Sequence, residues 1–239
     1  EAMSRAAAET LIAHMSKSLQ SCDFFSIALS GGSTPRRLYT LLADDAVLRE
    51  KVPWERVHVF WGDERHVPPD HPDSNYRMAV EAMLSKVAIP PANIHRMHGE
   101  EPDAARAADD YARNVRRFFG ITNDDMPRFN CVLLGIGSDG HTASLFPDSP
   151  ALGEQKRLVM ANWVEQFDSF RITLTVPVLN NADLILFLVS GGEKAGVLKT
   201  VLEGDKEPDR YPAQLIQPSR GASIWFIDRS AASSLTRLI

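Results

Sequence analysis

Cysteine is nearly absent from this chain: Cys22 and Cys131 are the only two, each inside or beside an apolar run. Two thiols cannot build a disulfide framework, and buried reduced thiols fit a cytoplasmic setting. Long apolar runs are missing too. The longest, LILFLV at 184–189, is the size of a strand, whereas a membrane-spanning helix needs about 20 residues. No membrane partner is therefore expected. Basic charge is not in excess, because 26 Lys and Arg face 31 Asp and Glu for a formal charge of −5. That balance argues against a nucleic-acid partner or an anionic membrane surface. No internal repeat or low-complexity tract occurs. The chain opens EAMSRAAAETL, already in a helical pattern and without an initiator or signal peptide, so further residues are expected before it.

What is present is an ordered, mixed composition: 44% apolar and 24% charged over 239 residues. That length suits one large α/β domain, so residues 1–239 are read as a single domain. Helical spacing covers 3–20, 34–44, 74–86, 101–119 and 193–204, with a further helix at the C-terminus. Thr34 is the expected N-cap of the second helix and Pro35 its first residue, and Pro102 is placed in the first turn of the fourth. Strands are expected at 24–30, 56–62, 130–135, 157–163, 171–176, 182–190 and 223–228. Several are apolar throughout rather than on alternate residues. Such strands, alternating with helices, indicate a parallel sheet covered on both faces. Ligands of such sheets sit beyond the carboxyl ends of the strands.

Four strands end in loops rich in glycine and polar residues: SGGSTP (30–35), GDERHV (62–67), GIGSDGHT (135–142) and SGGEKA (190–195). All four belong to the carboxyl edge, where one crevice could collect them. Arg36, Arg37 and Lys194 sit in first turns of helices, where the helix dipole disfavours cations. A bound anion would relieve that conflict, and for Lys194, beside two glycines, an anion site is the favoured reading. GGST could cradle a phosphate with free N–H groups. It is not a P-loop, because the Gly-Lys-Ser/Thr ending is missing.

Gly135, Gly137 and Gly140 spell G-x-G-x-x-G directly after a strand. A dinucleotide turn needs a long helix next and an acidic residue about 20 positions on. Pro147 and Pro150 interrupt that helix, and Gln155–Leu158 supply no carboxylate. The stretch instead presents His141 two residues after Asp139, a carboxylate that can orient an imidazole for acid–base work. Asp63, Glu64, His66 and His71 are spaced too irregularly around prolines for a metal site.

The blocks LSGGSTPRRLY, WGDERHVPPDHPDSNY, LLGIGSDGHTASLFP, RITLTVPVLNNA and VSGGEKAGVLK resemble, in order, the signature blocks of the 6-phosphogluconolactonase family, and YPAQLIQP (211–218) also fits. They span roughly 27–200. The wider superfamily includes glucosamine-6-phosphate isomerase/deaminase and ribose-5-phosphate isomerase. The resemblance implies a Rossmann-like, mostly parallel sheet flanked by helices, of the sugar-phosphate isomerase/CoA-transferase-like kind. It also implies hydrolysis of 6-phospho-D-glucono-1,5-lactone to 6-phosphogluconate, the second step of the oxidative pentose phosphate pathway, without metal or organic cofactor. On that resemblance His141 activates water and Asp139 supports it. Gly31, Gly32, Ser33 and Thr34 wrap the substrate, and Asp63 contacts sugar hydroxyls or water. Arg65 and Lys194 bind phosphate, Arg171 is a weaker candidate for the same cluster, and Arg36 and Arg37 stay outside. The deaminases carry a Glu five residues after the His; here that position is Phe146. A lactonase needs only water, a base and charge stabilisation, so the departure favours it. A lactonase of relaxed specificity, and a regulator that binds the sugar phosphate without turnover, are the alternatives. The oligomeric state is left open between a monomer and a weak homo-oligomer.

Overall fold

The computed structural model describes residues 1–236. Five strands form a parallel sheet: β1 (Phe25–Leu29), β2 (Val57–Trp61), β4 (Cys131–Leu134), β7 (Leu184–Val189) and β8 (Ala222–Ile227), in the order β2-β1-β4-β7-β8. Every residue of β1, β4 and β7 is buried, as their continuous apolar character requires. The helices are α1 (Ala2–Ser18), α2 (Ser33–Asp44), α3 (Ala46–Glu50), α4 (Asn75–Ala82), α5 (Ala104–Phe119), α6 (Val176–Asn180) and α7 (Ala195–Glu203).

Strand side chains alternate between faces, and β2 shows how both are covered. Val57 and Val59 share a space with Leu11 and Met15 of α1 and with Tyr39 and Leu42 of α2. His58 and Phe60 point the other way and meet Phe118 of α5, with ring centroids 4.7 and 5.0 Å apart.

A second sheet, invisible as such in the sequence, is antiparallel in the order β3-β6-β5, with β3 at Asp63–Arg65, β5 at Val159–Val164 and β6 at Ser169–Leu174. The chain changes sheets at Gly62. Its N–H donates to Leu29 O in the parallel sheet at 2.8 Å, while its carbonyl accepts from Leu174 N at 2.8 Å. The expected strands at 157–163 and 171–176 are thus a hairpin outside the main sheet.

Several expected ends move for local reasons. Thr34 is not the N-cap of α2: Gly32, at φ 101°, fills that place, and Ser33, Thr34 and Pro35 lie within the helix. Pro102 lies outside α5, which Asp103 caps by accepting from Ala105 N and Arg106 N. α4 ends at Ala82, and 84–86 make a separate 3₁₀ turn. Of the expected C-terminal helix, Ala231–Ser234 form a 3₁₀ turn and 237–239 lie outside the described residues. Cys131 is buried as expected, but Cys22 is exposed. No helix among the described residues is long and apolar enough to cross a membrane.

Candidate active site

The carboxyl ends of β1 and β2 are pinned from the core by two buried tyrosine hydroxyls. Tyr39 accepts from Ser30 N (3.0 Å) and donates to Ser30 O (2.9 Å). Tyr111 does the same for Trp61, at 2.9 and 3.1 Å. Burial pushes both phenols well above their ordinary range, so they remain neutral donors. The loops after β1 and β7 are tied directly, with Thr34 Oγ1 2.7 Å from Ser190 Oγ.

After β4 two glycines of the apparent dinucleotide pattern, Gly137 and Gly140, shape the loop that carries the imidazole. Gly137 N–H donates to His141 O at 2.8 Å, and a β-carbon at 137 would overlap the His141 ring. Gly140 has φ 85°, and a β-carbon there would run into Tyr211. In the loop so formed, His141 Nδ1 lies 2.6 Å from Asp139 Oδ1, and the same oxygen accepts from His141 N at 3.1 Å. Burial opposes ionisation of Asp139, yet the bond to His141 and the charge beside it bring the carboxyl down to about 2. The ring of Phe146 packs on the imidazole, centroid to centroid 4.1 Å. Phe146 is the residue at the position where the deaminases place a Glu.

Asp63 and Glu64 begin β3 and are both buried. Asp63 Oδ2 accepts from Ser144 Oγ at 2.7 Å, and Asn75 Nδ2 donates to Asp63 O at 2.9 Å. Glu64 does not face the cleft. It accepts from the N–H groups of Arg65, Asn75 and Tyr76 and from Ser74 Oγ, at 2.7–3.1 Å, so it fastens β3 to the start of α4. Burial raises its proton affinity, against the pull of those donors. The antiparallel register places Arg65 directly opposite Arg171, a like-charge pair that is destabilising unless something negative joins it. Burial lowers the Arg171 pKa, and the Arg65 charge lowers it further. Arg65 donates to Asp73 O, and Arg171 to Ser169 Oγ (3.1 Å) and Phe170 O (3.3 Å). Among the described residues neither arginine, nor Lys194, stands within ion-pair distance of a carboxylate.

These groups share one cleft of about 460 Å³. Gly31, Gly32, Asp63, Arg65, His141, Arg171 and Lys194 line it. Asp139 stands behind His141. Ser33 and Thr34 do not line it: the first turns toward a separate depression with Arg36 and Arg37, and the second is bound to Ser190. Sequence reasoning missed Asn75, Ser144 and Phe167. Asn75 and Ser144 stand inside the quoted blocks but carry no local chemical signal. Phe167 reads as an ordinary turn residue. No group of three or more His, Cys, Asp or Glu among the described residues is arranged to hold a metal ion.

A parallel α/β sheet whose carboxyl edge, with the adjoining antiparallel sheet, brings a His–Asp pair beside three cations that have no carboxylate partner among the described residues defines a class: proteins equipped for acid–base chemistry beside an anionic group. A family model described as glucosamine-6-phosphate isomerases/6-phosphogluconolactonase matches residues 1–225. The chain belongs to that family. It is 45% identical over 210 residues to a 6-phosphogluconolactonase of Synechocystis sp., covering 88% of this chain and 84% of that one. It is 39% identical over 213 residues to a human 6-phosphogluconolactonase, covering 89% and 81%. The solved structure of a 6-phosphogluconolactonase from Trypanosoma cruzi superposes with a TM-score of 0.85 at 31% identity, covering 98% of this chain and 93% of that one.

Proposed function

We propose that the protein hydrolyses 6-phospho-D-glucono-1,5-lactone to 6-phospho-D-gluconate, the second step of the oxidative pentose phosphate pathway. The observation that carries the reading is His141, hydrogen-bonded from behind by Asp139, on the wall of the cleft that Arg65, Arg171 and Lys194 also line. Relatives named for this activity support it.

The phosphate, near −2 in charge, is held by Arg65, Lys194 and Arg171, and relieves the repulsion between the two arginines. Asp139, ionised at every working pH, accepts the Nδ1 proton of neutral His141 and leaves the Nε2 lone pair as the base. His141 takes a proton from water as the oxygen attacks C1, and the carbonyl electrons move onto its oxygen. The N–H groups at the start of α2, where no side chain caps the helix, stabilise that oxyanion. When the tetrahedral centre collapses, the imidazolium returns its proton to the departing ring oxygen. Asp63, fixed by Ser144 and Asn75, contacts sugar hydroxyls or the water. Gly31 and Gly32 shape the wall beside the sugar, and Ser33 and Thr34 hold that loop from within α2. Residues 1–239 act as one unit, with no metal or organic cofactor. The exposed thiol of Cys22 fits a reducing, cytoplasmic compartment.

The test is a pair of variants assayed for acid release from the lactone above its spontaneous opening. His141→Ala is expected to lower kcat by about 10²–10⁴-fold, while Lys194→Ala chiefly raises KM. Wild-type turnover in the first variant rejects the assignment.

A further inference from the structure

Phe167 stands at the tip of the β5–β6 hairpin, is 51% exposed and lines the cleft. Its ring meets Phe146 edge-on, with centroids 5.9 Å apart, and leaves one face toward the cleft cations. The hairpin turn runs through a 3₁₀ turn at Glu165–Phe167 and through Asp168, at φ 45°. Asp is among the few non-glycine residues that adopt this left-handed conformation readily, and it closes the turn directly after the ring. The ring lies beneath the Arg171 guanidinium, 5.0 Å from its carbon to the ring centroid.

Arg171 needs such support. Arg65 opposes it across the β3–β6 ladder, and no carboxylate among the described residues is within ion-pair distance. Its two hydrogen bonds, to Ser169 Oγ and Phe170 O, both use Nη1. An aromatic face is the one kind of partner that attracts a guanidinium without occupying its N–H donors or neutralising its charge. A carboxylate in the same place would compete with an incoming phosphate.

We propose that Phe167 is a positioning residue for the anion site: its ring holds the Arg171 guanidinium against the repulsion of Arg65, with the remaining N–H donors turned to the phosphate. The inference rests on the reading of Arg171 as a phosphate ligand, and deepens it. Phe167 therefore acts on affinity for any phosphate-bearing ligand; because it also meets Phe146 edge-on, at 5.9 Å between centroids, and Phe146 packs on His141, phosphate binding rather than turnover reads its role at Arg171.

Calorimetric titration with inorganic phosphate tests this without reference to turnover. Phe167→Ala is expected to weaken phosphate binding about 3–10-fold, the range of one partly desolvated cation–π contact. Phe167→Tyr restores it, whereas Phe167→Leu, apolar but without a π face, does not. In an Arg171→Ala background the Phe167→Ala change has no further effect. With lactone as substrate the loss at the anion site enters KM. Unchanged phosphate affinity in Phe167→Ala overturns the proposal, as does full binding in Phe167→Leu or an undiminished effect in the Arg171→Ala background. If His141→Ala keeps wild-type turnover while the phosphate titrations behave as expected, the reaction assignment fails and this inference stands.

Discussion

A single proton decides what His141 can do. In the proposed mechanism the ionised Asp139, 2.6 Å away, holds that proton on Nδ1 and leaves Nε2 as the base. Asp139→Asn keeps the shape but offers an amide N–H to Nδ1, which favours the tautomer with Nε2 protonated. We expect kcat to fall about 10²–10⁴-fold with KM little changed, measured by acid release; a variant with wild-type kcat shows that the carboxylate is not setting the tautomer. His141, Asp139 and Lys194 were legible as charged or titratable residues in glycine-rich loops, whereas Asp63 and Arg65 entered through the family resemblance. Ser144 and Asn75 were not legible. They matter through bonds to Asp63 made across 81 and 12 residues, and nothing in their own neighbourhood announces a partner so far away.

Elements carry two further lessons. β3 is three residues, Asp63–Arg65, all charged, and has neither the alternation nor the apolar run that marks a strand. It exists because Gly62 leaves the parallel sheet and β6 offers a free edge. That same pairing sets Arg65 against Arg171, a juxtaposition no local pattern encodes. On the far side of β2, His95 stacks on Phe60 with centroids 4.3 Å apart and lies 3.1 Å from His58 Nδ1. Burial first, then the neighbouring His58, lowers the His95 pKa to about 4, and burial lowers that of His58. The unfolded chain binds the His95 proton near pH 6.5, but the folded one resists it until near pH 4. Stability is therefore full above about pH 6.5 and declines as the pH falls from there toward about 4. Urea midpoints at pH 7 and pH 5 should differ in the wild type, and by clearly less in His95→Gln. An undiminished difference in the variant would place the acid sensitivity elsewhere.

For the molecule as a whole, a ligand that binds only the folded chain must stabilise it. At 100 times its Kd, 6-phosphogluconate is expected to add about 2.7 kcal/mol, which is a rise in Tm of roughly 5–10 °C for a chain of this size. An Arg65→Ala, Lys194→Ala double variant should lose most of that rise at the same concentration; if it keeps the full rise, phosphate is held elsewhere. What the sequence determined by itself is the alternation of apolar strands with amphipathic helices, the glycine-rich turns at one edge, and the histidine within one of them. Each of these is written in a few consecutive residues, through side-chain periodicity and backbone freedom. Only the tertiary structure decided that β1 lies between β2 and β4, with β7 beyond, and that a second, antiparallel sheet leaves the first at Gly62. Partner choice between distant segments is set by packing and by which edges remain unpaired. Those are properties of the assembled core, and the cleft takes its membership from them.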